Sequence, residues 1–179
     1  MPLDSPATVE DLLNYRLARL LSSSGAMIIR LCEGKYGITR REWRLIAMLA
    51  ACGPMSPSAL ADRAHIDRAR ASRNIAELVS KRLVVRAVSA ADRRRATVAL
   101  TASGKALHDE LFPVSAKING LVLSALTPAE RRAFDAALTL LTGKAEQLSR
   151  DYPLDVKADR RHGGSRRRPA QTGTPPPLF

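Results

Sequence analysis

"SPSALADRAHIDRARASRNIAELVSKRLVVRAVSAADRRRATVALTASG", residues 56–104, carries two periodicities back to back. Up to Ser80 the apolar residues Ala71, Ile75, Leu78 and Val79 recur three and four apart, as on one face of a helix. From Leu83 to Val88 the chain becomes compact and β-branched, and Thr97 to Leu100 reads as a partner strand. The spacing therefore predicts a hairpin with residues 89–96 as its loop. Ser56 before Pro57 predicts the start of a short helix, Ser58 to Ala64, with proline at its first position. Asp67 predicts a second start, for a helix from Arg68 to about Lys81. Only Ala64-His65-Ile66-Asp67 lies between the two helices.

The flanks extend the same reading. Thr39-Arg40-Arg41-Glu42 is a capping box, predicting a helix to Ala51 that Gly53-Pro54 stops. Thr8 to Asp11 reads as another capping signal, opening one helix of about six turns. Its apolar positions are Leu13, Leu17, Leu20, Leu21, Met27 or Ile28, and Leu31, and Gly34 and Gly37 bracket its end. Downstream, Leu107, Leu111, Val114, Ile118, Leu121 and Val122 predict helix from Ser103 to about Leu126. Pro113 predicts a kink or break near Phe112. Thr127 to Glu130 is a third box, opening a last helix to about Arg150. From Asp151 the chain is rich in Pro, Gly and Arg, which predicts a disordered basic tail.

Helix, short helix, tight turn, helix and two-stranded hairpin is the winged helix-turn-helix plan. The expected fold class is thus mainly α with a small β-hairpin, a winged helix-turn-helix domain between flanking helices. The expected segments are residues 1–38, 39–101, 102–150 and the tail 151–179.

Charge narrows the partner. The 179 residues carry 29 Lys and Arg against 17 Asp and Glu, a net +12. Between Arg63 and Arg95 stand ten basic residues and only Asp67, Glu77 and Asp92 as acids, with no Phe, Trp or Tyr. Stacking of unpaired bases is therefore not available there, and the charge suits the backbone of double-stranded DNA. On the helix after Asp67, Ala69, Arg73, Ala76 and Glu77 face away from the apolar stripe, with Arg68 and Arg70 beside them and Asn74 between the faces. Small residues let a helix seat in a major groove, and arginines reach guanine edges or phosphates.

Other chemistries find little support. His65, His108 and His162 stand in no metal or triad spacing, and no Gly-rich phosphate loop appears. No enzyme, metal or cofactor is expected. Cys32 and Cys52 form no CxxC motif and read as small buried hydrophobes. No apolar run reaches the length of a membrane span, and the first residues lack a signal-peptide pattern, so a cytoplasmic protein without membrane partners is expected.

Residues 38–104 resemble the MarR family of bacterial transcriptional regulators. "ITRREWRLIAMLAACGPMSPSALADRAHIDRARASRNIAELVSKRLVVR" is similar to that family's second helix, short strand, third helix and recognition helix, and "ADRRRATVALTASG" to its wing. Asp92, Arg93, Arg94, Leu100, Thr101 and Gly104 stand at matching places. Leu83-Val84 departs from the Gly-Leu that the family commonly has before the wing strand. The resemblance covers about residues 9–150 and implies four things. Asp92 aims Arg94 into a minor groove while Arg93 and Arg95 sit over phosphates. The first, fifth and sixth helices of two subunits interlock, so a homodimer binds a pseudo-palindromic operator. Repression is the common mode. A small aromatic carboxylate or phenol acts as effector, in a pocket for which Tyr15, Arg16, Arg19, Trp43, Arg44 and His65 are the candidates. Two other readings stay open: a cysteine-based redox sensor, and a non-specific nucleic-acid-binding protein using Arg166, Arg167 and Arg168 of the tail.

Overall fold

The computed structural model describes residues 3–88 and 96–151. The expected wing tip with Asp92, Arg93, Arg94 and Arg95, and the tail beyond Asp151, lie outside the described residues. Among the described residues a 3-10 turn, Val9–Asp11, precedes six α-helices and one hairpin: α1 Leu13–Gly34, α2 Arg40–Cys52, α3 Pro57–Arg63, α4 Arg68–Ser80, β1 Val84–Val88, β2 Ala96–Leu100, α5 Ala102–Leu123 and α6 Pro128–Asp151. The fold is mainly helical with a small antiparallel sheet, as the sequence predicts. The chain divides into two compact units, one ending at Thr127 and one holding α6.

The core of the first unit draws on every element from the end of α1 to α5. Cys32, Ile38, Trp43, Leu45, Ile46, Leu49, Leu60, Ile75, Leu78, Val84, Val98 and Leu111 form one buried cluster. Burial of an aliphatic side chain stabilises by roughly 1.5–3 kcal/mol, which explains a departure from the sequence reading. Pro113 lies inside a continuous α5, and no break occurs at Phe112. An interior proline costs about 3 kcal/mol. Leu111, a member of that cluster, and Ile118 are buried on either side of it, and their burial offsets that cost.

The predicted caps at Thr39, Ser56 and Asp67 form, and the one at Thr8 forms with a change. Thr39 and Glu42 exchange backbone and side-chain bonds at 2.6 and 3.2 Å. Ser56 accepts from Ala59 N–H at 3.2 Å, and Pro57 is the first residue of α3. Near the start of the chain, however, the box encloses only the 3-10 turn, and α1 begins after it at Leu13. There the Asp11 carboxylate gathers the N–H groups of Ala7 and Thr8 and the Thr8 hydroxyl, at 2.9–3.1 Å. These bonds, led by the Thr8 backbone, hold its carboxyl below the ordinary value of 3.8.

The hairpin is supported on its second edge by one isolated bridge. β1 pairs β2 in the register Val84↔Leu100 to Val88↔Ala96. On the other edge of β2, Met55 and Val98 exchange N–H···O bonds of 3.1 and 2.8 Å. Before β1 the chain turns through Arg82, whose φ is +56°. The left-handed residue is thus Arg82, one place before the departure expected at Leu83-Val84. After β2, Thr101 donates its hydroxyl to Arg82 O at 2.7 Å and accepts from Gly104 N–H at 2.9 Å.

Candidate nucleic-acid interface and effector cavity

Local chemistry fixes which way α4 faces. Asp67 Oδ1 accepts from the N–H groups of Ala69 and Arg70 at 3.1 and 3.2 Å, which starts the helix. Ala71, Ile75 and Leu78 are buried, so Ala69, Arg70, Ser72, Arg73, Ala76 and Glu77 are turned outward, with Asn74 half-buried between the faces. The turn before α4 is held by α2: Arg44 Nη1 donates to Ala64 O at 3.1 Å. His65, at φ +50°, is exposed in that turn. Arg68 reaches Asp62 of α3 at 3.5 Å with both side chains exposed, a contact worth little by itself.

Arg70, Arg73 and Asn74 come together with Arg41 of α2 around an open cleft of about 400 Å³. The first two arginines and Asn74 are sequence-predicted; Arg41 is an addition. Its only signal in the sequence was charge within a capping box, which a solvated helix start would also show.

One buried charge was not legible either. Glu42, 2% exposed, receives Lys81 Nζ at 3.0 Å on each carboxylate oxygen. The first turn of α2 is thereby tied to the end of α4. Breaking such a pair leaves a charge without its partner, so it fixes geometry more than it adds stability.

A second cavity, of about 390 Å³, opens between α2, the end of β2 and α5. Its polar groups are Thr101, Lys105, His108 and Asp109, and its apolar wall includes Leu49 and Leu100. Asp109 bonds Lys105 Nζ at 2.7 Å and His108 Nδ1 at 3.1 Å. These two partners, Lys105 foremost, hold its carboxyl below 3.8. The His108 ring is stacked between Trp43, at 5.7 Å, and Phe112, at 5.3 Å.

None of the six predicted effector residues lines this cavity. Tyr15, Arg16 and Arg19 are exposed on α1, Arg44 braces the Ala64 turn, His65 is exposed, and Trp43 is 9% exposed and stacks on His108. The sequence does not single out Lys105, His108 and Asp109 as lining a cavity, because a basic residue, a histidine and an acid at three- and four-residue spacing look like a solvated helix face. Of the cysteines, Cys32 is buried, and burial pushes its thiol up from 9.0. Cys52, expected inside, is exposed at the end of α2 with Arg63 Nη1 3.6 Å from its sulfur. Among the described residues no helix is long and apolar enough to cross a membrane.

Residues 36–95 match a family model, MarR_2, described as MarR family. Over those residues the chain is similar to the MarR family. Solved structures resemble the chain over more of its length. BpsR of Bordetella bronchiseptica, whose DNA binding is regulated by 6-hydroxynicotinic acid, is 25% identical with a TM-score of 0.68, over 77% of this chain and 98% of that one. A MarR family transcriptional regulator from Silicibacter pomeroyi is 26% identical with a TM-score of 0.64, over 83% and 96%. NadR, solved in complex with 4-hydroxyphenylacetate, is 23% identical with a TM-score of 0.65, over 76% and 99%, and shares the fold. No curated protein matches the chain significantly. Of these neighbours, the Silicibacter pomeroyi protein is a transcriptional regulator and BpsR is a DNA-binding protein.

Proposed function

We propose that this protein is a MarR-type homodimeric repressor that binds a pseudo-palindromic operator and releases it when a small aromatic acid or phenol is bound. The observation that carries the reading is the cleft in which Arg70, Arg73 and Asn74 meet on the outward face of α4. Small Ala69 and Ala76 on that face let the helix approach base edges closely, and Arg68 adds charge at its start. Asp92 would aim Arg94 into the neighbouring minor groove, with Arg93 and Arg95 over phosphates.

A dimer is supported by the apolar surface of the single chain. Leu20, Leu21 and Met27 of α1 and Phe112, Leu121 and Val122 of α5 are exposed. α6 buries none of its residues, and its Leu140 is 75% exposed. A helix of 24 residues with bare Phe134, Leu140, Leu141 and Leu148 asks for a partner surface.

The cavity between α2 and α5 suits a hydroxylated aromatic acid. Lys105 offers an ammonium to a carboxylate, Asp109 accepts from a hydroxyl, and the His108 ring offers a stacking surface. The relatives BpsR and NadR are associated with acids of that class. An effector there would shift the balance between two placements of α4, and only by its difference in affinity for the two.

The test is a titration of labelled duplex from the protein's own promoter region against a scrambled duplex, with hydroxybenzoate-, hydroxyphenylacetate- and hydroxynicotinate-type acids added. Operator preference, release by one acid, and a change in emission of Trp43 at the same concentrations are expected. Equal binding of both duplexes would leave a non-specific binder. An acid that binds without releasing DNA is not the effector.

A further inference from the structure

We infer that Arg41, on the first turn of α2, grips a backbone phosphate of bound DNA, so that one strand crosses between α2 and α4. This rests on the DNA-binding reading of α4 but adds a contact from outside the recognition helix and the wing.

Three consecutive residues of that turn have three different surroundings. Arg40 lies over α1: a β-carbon on Gly25 would stand 2.9 Å from its Nη1. Glu42 is buried against Lys81. Arg41 between them is exposed and opens into the cleft with Arg70, Arg73 and Asn74. Its neighbours on both sides are committed, so the backbone that carries Arg41 is held in place before any ligand arrives. Pre-organisation of this kind raises affinity, because less freedom is lost on binding.

The charge of the cleft is not compensated from within. Among the described residues, no carboxylate lies within salt-bridge distance of Arg41, Arg70 or Arg73. Three guanidinium groups around about 400 Å³ repel one another until an anion enters. The opening admits a phosphate group, guanidinium forks match its oxygens, and the Asn74 amide adds a neutral donor. A base edge is the poorer fit for Arg41, because its helix is not the one expected to enter the groove. A phosphate diester of the duplex and a free phosphate share this chemistry. The duplex is favoured because Arg70 and Arg73 belong to the same outward face as Ala69 and Ala76.

The experiment compares wild type, Arg41→Gln, Arg41→Lys and Arg73→Ala on promoter and scrambled duplexes between about 50 and 200 mM salt. Thermal melting of each variant checks the fold. Arg41→Gln should weaken both duplexes alike, by about five- to tenfold, and lower the salt slope by about one, with an unchanged melting temperature. Arg41→Lys should recover most of that loss. Arg73→Ala should instead reduce the ratio between the two duplexes. If wild type binds DNA and Arg41→Gln matches it in affinity and slope, the inference is wrong while the DNA-binding reading stands. If wild type binds neither duplex, that reading itself fails. Loss of operator preference alone in Arg41→Gln would make Arg41 a base reader and overturn the phosphate assignment. Calorimetry with pyrophosphate at matched ionic strength covers the other source. Tight pyrophosphate binding that Arg41→Gln abolishes, with duplex affinity unchanged, would reassign the cleft to a free phosphate.

Discussion

Gly104 and Leu83 touch through backbone alone. A β-carbon on Gly104 would stand 2.0 Å from the Leu83 carbonyl oxygen and 3.0 Å from its carbonyl carbon. Thr101 N–H donates to the same oxygen at 3.1 Å. The first turn of α5 therefore lies directly against the start of the hairpin. Gly104→Ala should destabilise by about 2 kcal/mol or more, because backbone cannot move aside as a side chain can. A urea midpoint equal to that of wild type would show that the two segments part easily.

Lys81 and Glu42 give a second expectation. Glu42→Gln should cost about 1–3 kcal/mol, less than a fully dry pair because the Lys81 side chain is 32% exposed. A double-mutant cycle with Lys81→Met isolates the pair. A coupling energy of zero would mean that Glu42 acts only through the Thr39 cap.

Arg82 stands in the left-handed region. That conformation costs an ordinary residue about 1–2 kcal/mol, against roughly 0.5–1 kcal/mol for the extra freedom glycine has when unfolded. Arg82→Gly should thus raise stability by up to about 1 kcal/mol, and Arg82→Val should lower it. A less stable glycine variant would show that the arginine stem contributes more than the backbone strain removes.

Base readout should sit on α4. Arg73→Ala or Arg70→Ala should remove about 1–3 kcal/mol of preference for operator over scrambled duplex, measured by anisotropy at fixed salt. A uniform loss on both duplexes would demote that arginine to a phosphate contact.

Lys35 and Glu110 join α1 to α5 at 2.5 Å. Lys35, and then Tyr36, hold the Glu110 carboxyl below its ordinary 4.5. Glu110, and then Tyr36, hold Lys35 above 10.5. The depressed Glu110 contributes above 4.5, and its share is lost as pH falls through the lower folded value. The raised Lys35 contributes fully below 10.5 and loses its share as pH rises through the higher folded value. Thermal melts of wild type and Glu110→Gln should differ by a small amount at neutral pH, both groups being exposed, and converge in acid. A difference that persists below the depressed value would belong to packing, not to charge.

Local rules made most of the fold legible. Asp67, Thr39 and Ser56-Pro57 marked helix starts because caps act within one turn, and the β-branched Val84–Val88 run stands where β1 forms. Local rules failed where distant packing decides. Pro113 is carried through α5 by Leu111 and Ile118, which bury against other elements. Arg82 takes a conformation that its own side chain disfavours, because the chain must turn from α4 into β1 there. The α4 half of the cleft was legible from helical periodicity. Arg41 and the Lys105–His108–Asp109 group were not, since only the crossing of helices brings them to their cleft and cavity.

The reciprocal bonds between Met55 and Val98 have a mechanical meaning. Met55 immediately precedes Ser56, which caps α3, and Val98 is the middle residue of β2. Force along β2 loads those two bonds in shear and is delivered at once to the start of α3. A two-stranded hairpin alone would swing as a soft lever. Bolted on its second edge, this one is a stiff bracket, and a load on β2 is transmitted to the body of the domain. An effector that spoils the fit to DNA must then reorient hairpin, α3 and α4 as one piece, since bending the hairpin at its root is the stiffer motion.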